Sequence, residues 1–96
     1  MGDGWTALID SISMDHTEVA KILIKNGADM NDKGKNGWTA LMAAAYYNNA
    51  EIVNLMIENG ADVNARDDMN RSALDIAKKR GHQEIVNLLQ QSNVQE

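Results

Sequence analysis

The chain repeats itself every 33 residues, a period that restricts it to stacked supersecondary units, none of which can bury its apolar face alone. Gly4-Trp5-Thr6-Ala7-Leu8 returns as Gly37-Trp38-Thr39-Ala40-Leu41 and, more loosely, as Asn70-Arg71-Ser72-Ala73-Leu74. Asn26-Gly27-Ala28-Asp29-Met30-Asn31 returns as Asn59-Gly60-Ala61-Asp62-Val63-Asn64. Between these blocks His16, Asn49 and His82 share one phase, as do Glu18, Glu51 and Glu84, and Leu23, Met56 and Leu89. Three units, about 1–33, 34–66 and 67–96, fill the 96 residues and are expected to form a single domain. A domain of this size buries only ~60–70% of its unfolded surface. With no Cys in the chain, neither a disulfide nor a thiolate metal site can add stability, so packing has to supply it.

Within each unit the residues predict two short antiparallel helices and a long connection. Thr6, Thr39 and Ser72 carry the hydroxyl that caps the orphan amides of a first helix, and the Ala and Leu that follow favour helix. That helix is expected to run to about Met14, Tyr47 and Arg80, with Asp15-His16, Asn48-Asn49 and Gly81-His82 as turn and cap. A second helix follows, with Glu18, Glu51 and Glu84 in its first turn, where negative charge complements the helix dipole. Val19, Ile22 and Leu23, then Ile52, Leu55 and Met56, then Ile85, Leu88 and Leu89 fall at helical spacing and are expected to build a shared core. Gly27, Gly60 and Asn93 occupy the places of a left-handed residue after a helix C-terminus. The connections 28–37 and 61–70 are rich in Asp and Asn, as projecting hairpins require.

Gly37-Trp38-Thr39-Ala40-Leu41-Met42-Ala43-Ala44, Ile52-Val53-Asn54-Leu55-Met56 and Gly60-Ala61-Asp62-Val63-Asn64 together resemble the ankyrin repeat family, over nearly the whole chain. The resemblance implies an all-α solenoid of stacked helix-turn-helix units joined by β-hairpin-like loops. It departs from the family pattern at Ala7, Ala40 and Ala73, where Pro is usual, and at Ile9, Met42 and Asp75, where His is frequent. Losing that His removes a usual hydrogen bond. Toward the ends, positions that are apolar in the middle unit turn polar: Asp10 and Ser11 stand opposite Ala43 and Ala44, and Lys78 and Gln90 opposite Ala45 and Ile57. Terminal units must be wettable on their outer face, which suggests a complete set of three, the alternative being a piece trimmed from a longer array, with Ile12 and Ile24 expected to be partly exposed.

The resemblance also implies where a partner binds: two hairpin residues, the residue before the first cap, and two late in the first helix of each unit, all lining a concave groove. On this sequence those places are Gly2, Asp3, Trp5, Ser13 and Met14; Lys35, Asn36, Trp38, Tyr46 and Tyr47; and Asp68, Met69, Arg71, Lys79 and Arg80. All four aromatic residues of the chain are among them, although rings are ordinarily efficient core fillers. Trp, Tyr and Arg are also the side chains enriched at binding hot spots. The alternative reading is that Trp5 and Trp38 pack over the hairpin stems and Tyr46 and Tyr47 over helix ends. Arg66, Arg71, Lys78, Lys79 and Arg80 gather in or near the third unit while Asp3, Asp10, Asp15 and Glu18 lie in the first, so a partner with an acidic patch is expected.

No enzyme is expected. His16 and His82 lie two units apart and cannot share a metal, no phosphate-cradling loop follows a strand, and no cofactor is implied. Asn70-Arg71-Ser72 matches a glycosylation acceptor with no secretion signal ahead of it, and by resemblance Asn31 and Asn64 stand where the family can be an oxygenase substrate. The net charge of −5 argues against nucleic acid and anionic membranes, and no apolar run approaches a membrane span. The expectation is therefore a cytoplasmic protein-binding module, adaptor or inhibitor, monomeric and bound through the groove. The alternative is a self-associating or structural solenoid segment, with a homodimer through exposed end units.

Overall fold

A computed structural model describes residues 6–94, which form three helix pairs: α1 (Ala7–Ser13) with α2 (Thr17–Lys25), α3 (Ala40–Tyr46) with α4 (Ala50–Glu58), and α5 (Ala73–Arg80) with α6 (Gln83–Val94). The first helices α1, α3 and α5 pack side by side in one layer and the second helices α2, α4 and α6 in another, each pair also packing internally. This is the expected solenoid. Its core runs between the layers and is built largely of Ala, Ile, Leu and Met.

The boundaries follow from capping chemistry. Thr6, Thr39 and Ser72 are extended residues whose side-chain oxygens accept from the amides of Ile9, Met42 and Asp75. Each first helix ends on a left-handed residue, Asp15, Asn48 or Gly81, with φ of 64°, 61° and 73°. The next amide then turns back onto the helix, as His16 N does to Ser11 O, Asn49 N to Ala44 O and His82 N to Ala77 O. Gly27 and Gly60 close α2 and α4 in the same way, with φ of 86° and 88°. Asn93 does not take that role: α6 continues through it to Val94.

The core differs from the sequence expectation at the first pair. Ile52 and Ile85 are fully buried, 0% exposed, because each lies under the preceding pair, whereas their counterpart Val19 is 49% exposed and nearby Ile22 is 58% exposed. Helical spacing marks the apolar positions of α2 but cannot tell that nothing among the described residues stacks on that side. Ala20 and Ile24 carry the burial of α2 instead, and Ile12 and Ile24, expected to be partly exposed, are buried against the second pair. Ser11 also moves inward. Its hydroxyl donates to Leu8 O at 2.8 Å, satisfying it inside the helix layer, while Asp10 stays outside as expected. At the opposite end Asp75, Lys78 and Gln90 are exposed, a wettable face.

The departures at the usual His position are absorbed in two ways. Ile9 and Met42 are buried and contribute packing. Asp75 forms a capping box: Ser72 Oγ accepts from Asp75 N at 3.2 Å, and Asp75 Oδ2 accepts from Ser72 N at 3.0 Å. Those bonds hold the Asp75 carboxyl below its ordinary range, chiefly through the Ser72 amide acting against burial, with help from Arg66 at 3.3 Å.

Candidate protein-binding surface

The connections between pairs are hairpin-like in path but contain no strand among the described residues. A backbone bond joins the arms of each, Gly34 N to Trp38 O at 2.7 Å in the first and Asp67 N to Arg71 O at 2.9 Å in the second. The first tip turns through Asn36 and Gly37, both left-handed with φ of 63° and 74°. Glycine is favoured there on steric grounds too, since a Cβ at residue 37 would stand 3.0 Å from the Asp68 backbone nitrogen and 2.5 Å from Asp68 Oδ1. The close approach lets Asn36 O accept from Asp68 N at 3.0 Å, and the two tips lock together. Asn31 Oδ1 accepting from Asp62 N at 2.9 Å and Lys33 Nζ donating to Arg66 O at 2.8 Å tie the stems of the same two connections. Asn31 is thus a stitch between repeats, while the Asn64 amide donates within its own turn to Asp62.

Beneath the second tip lies Asp67, 7% exposed, which sequence reasoning did not single out. Its carboxylate accepts from the amides of Met69 and Arg71 at 2.9 and 2.8 Å, from Arg71 Nε at 3.0 Å and from Trp38 Nε1 at 3.1 Å, and pairs with the far end of the Arg71 guanidinium at 2.9 Å. Burial alone would raise this carboxyl, but the Arg71 amide and guanidinium and the Met69 amide outweigh it, so it lies below its ordinary value. The only sequence signal was the Asp-to-Arg spacing of four, Asp67 to Arg71, at the mouth of a connection. Trp38 is therefore braced from below, half-buried, and is both a packing element of the hairpin stem and part of the exposed surface.

From Trp38 an aromatic row extends along α3. The Trp38 and Tyr46 rings lie 5.4 Å apart at 57°, Tyr46 and Tyr47 meet edge to face at 4.9 Å, and the Arg80 guanidinium sits 4.1 Å above the Tyr46 ring. Tyr47, the residue that ends α3, remains 50% exposed. Of the other expected residues, Met14 and Met69 are among the most exposed apolar side chains, and Lys35, Asn36 and Lys79 are exposed. Arg71 is spent on Asp67 and Arg66 on Asp75 and the Asn70 carbonyl, so both brace the fold. Trp5, Gly2 and Asp3 lie outside the described residues.

The rest of the molecule offers no convergent chemistry among the described residues. No cluster of His, Cys, Asp or Glu there could hold a metal. His82 Nδ1 lies 2.8 Å from Ala45 O and joins the third pair to the second. An open cleft of about 240 Å³ between α2 and α4 is lined by Lys21, Lys25, Glu51, Asn54, Leu55 and Glu58, and shares no residue with the aromatic row. Lys21 there bridges Glu18 and Glu51, whose hydrogen bonds raise its pKa, Glu51 first. No described helix is long and apolar enough to cross a membrane.

Stacked helix pairs, Schellman-type turns and locked hairpin tips define a helical-repeat solenoid. Family models agree: one for ankyrin repeats in three copies matches residues 29–96, and one for a single ankyrin repeat matches residues 3–35. The chain belongs to the ankyrin repeat family, whose members are generally protein–protein interaction modules without catalytic activity. No curated protein matches it in a sequence search.

Proposed function

We propose that this chain is a non-catalytic adaptor or inhibitor, its three repeats acting as one domain, that binds a partner protein through the surface made by the hairpin tips and the ends of the first helices. The observation that carries the reading is the row Trp38–Tyr46–Tyr47 capped by Arg80, an aromatic strip anchored at Trp38 by its bond to Asp67, joined by ring contacts, and half-exposed at Tyr47. Rigid aromatic area of that kind binds at low entropic cost. Tyr47 is the better test position, because Trp38 is also part of the hairpin stem. Capture from the source cell with the intact protein and with Tyr47→Ala should retain a protein on the first only, while the helical spectra coincide. Retention of the same proteins by both rejects the surface.

A second reading is favoured by one observation, the exposure of Val19 and Ile22 where the later repeats bury Ile52 and half-bury Leu55. Self-association through that end would give a homodimer without a groove ligand. Asp10 opposes it, since it occupies the place of buried Ala43 and would be desolvated in such a contact. Sedimentation at high concentration distinguishes the two, a monomer rejecting the dimer.

A further inference from the structure

The 33-residue period lays two ladders across this surface, Ser13–Tyr46–Lys79 and Met14–Tyr47–Arg80, each with one residue per repeat. Their rungs are set by the packing of α1, α3 and α5, and packed helices lie ~8–10 Å apart. Along both ladders the character changes in one direction, from small or apolar through aromatic to cationic.

The cationic end is available. Arg66, Arg71 and Lys21 are neutralised by Asp75, Asp67 and Glu18 with Glu51, but Lys78, Lys79 and Arg80 are exposed and make no ion pair among the described residues. The C-terminal turn of α5 favours positive charge by its dipole, which accounts for lysines there. It does not account for the position of Arg80. The guanidinium carbon lies 4.1 Å from the Tyr46 ring centroid, a contact that restrains the side chain and holds its donors near the half-exposed Tyr47. A planar guanidinium is suited to a carboxylate. In a protein of net charge −5 this is a local positive site next to an apolar one.

We infer that the partner docks a segment in which an apolar or aromatic side chain rests on Tyr47 and a carboxylate, one rung further on, pairs with Lys79 and Arg80. The inference rests on the reading of this surface as protein-binding and adds the chemistry and spacing of what it binds. One rung of ~10 Å corresponds to about three residues in an extended segment or about seven in a helix. Nucleic acid is a poorer fit, because the surrounding field of the chain is negative and Asp68 stands exposed at the second tip.

The test uses the intact chain as bait for a displayed library of random peptides, followed by synthesis of one recovered peptide. Recovered sequences should be enriched in Asp or Glu about three or seven residues from an aromatic or large aliphatic residue. The synthetic peptide should bind Lys79→Glu and Arg80→Gln variants about tenfold more weakly or worse, and bind less tightly as salt is raised. Lys79→Glu alone guards against any loss of Tyr46 packing in the Arg80 variant. Peptides that are lost on Tyr47→Ala but indifferent to both charge variants overturn the acidic partner and leave the surface standing. Indifference to all three rejects the surface as well. Failure to recover any acidic peptide, or an oligonucleotide whose binding the Lys79 variant abolishes, also overturns the inference.

Discussion

Replacing Asp67 by Ala should be among the most damaging single changes outside the apolar core. The substitution removes a carboxylate that accepts four hydrogen bonds and pairs with Arg71 at a side chain only 1% exposed. Two backbone amides, the Trp38 ring nitrogen and part of a guanidinium then lose their acceptor together. Removing one partner of a buried ion pair costs about 3–5 kcal/mol, because the other charge is left uncompensated. Arg71 is itself 36% exposed and can recover water, and the amides of the second tip lie near the surface, so the lower end applies, about 3 kcal/mol. For a chain of this length the whole stability is about 5–14 kcal/mol, so the loss is a large share of it. Urea unfolding followed by helical circular dichroism measures it directly, and the melting temperature should fall by about 12–24 °C. Asp67→Asn should lie between, since its amide oxygen can still accept from the Met69 and Arg71 amides while the charge is gone. A loss below about 1 kcal/mol in Asp67→Ala would refute the assignment of Asp67 as the brace of Trp38 and the second tip.

Three further expectations follow from the same geometry. Gly37→Ala should cost more than Gly60→Ala: both have positive φ, but only at 37 does a Cβ meet Asp68, so denaturant unfolding should show about 1 kcal/mol at 60 and clearly more at 37. Val19→Ala should change the unfolding free energy from urea titration by about 0.5 kcal/mol or less, whereas Ile52→Ala, at the equivalent place one repeat later, should cost about 2–5 kcal/mol. Asp67 and Asp75 both have carboxyls held below their ordinary value, so the stability they contribute is fully present above about pH 4 and is lost as pH falls through their folded values. Unfolding midpoints taken from pH 6 to pH 2.5 should therefore decline on the acid side, and a double Asp67→Asn, Asp75→Asn variant should show a shallower decline.

Much of the scaffold is legible in the sequence because the signals that end helices are local. A hydroxyl at Thr6, Thr39 or Ser72 finds an amide three residues on, and Asp15, Asn48, Gly27 and Gly60 adopt the left-handed region through their own backbone preferences. Neither depends on anything distant in the chain. The 33-residue period adds long-range information by requiring each unit to stack on the next. The aromatic positions of the candidate surface were picked out by the resemblance to the ankyrin repeat family, carried from unit to unit along that period.

Stacking order and partnering were decided only in three dimensions. Val19 and Ile52 are alike in sequence, yet one is half-exposed and the other sealed, because burial depends on which neighbour lies above. Arg71, Lys79 and Arg80 look alike as cations, but Arg71 is consumed by a carboxylate four residues away, Arg80 is laid on a ring from the previous repeat, and Lys79 is exposed without an ion pair among the described residues. The sequence by itself determined the repeat, the caps and the turns, which are interactions within a few residues or of fixed phase. Which charges remain free to meet a partner was settled by tertiary contacts, because electrostatic pairing acts through space between side chains whose separation the chain order does not encode.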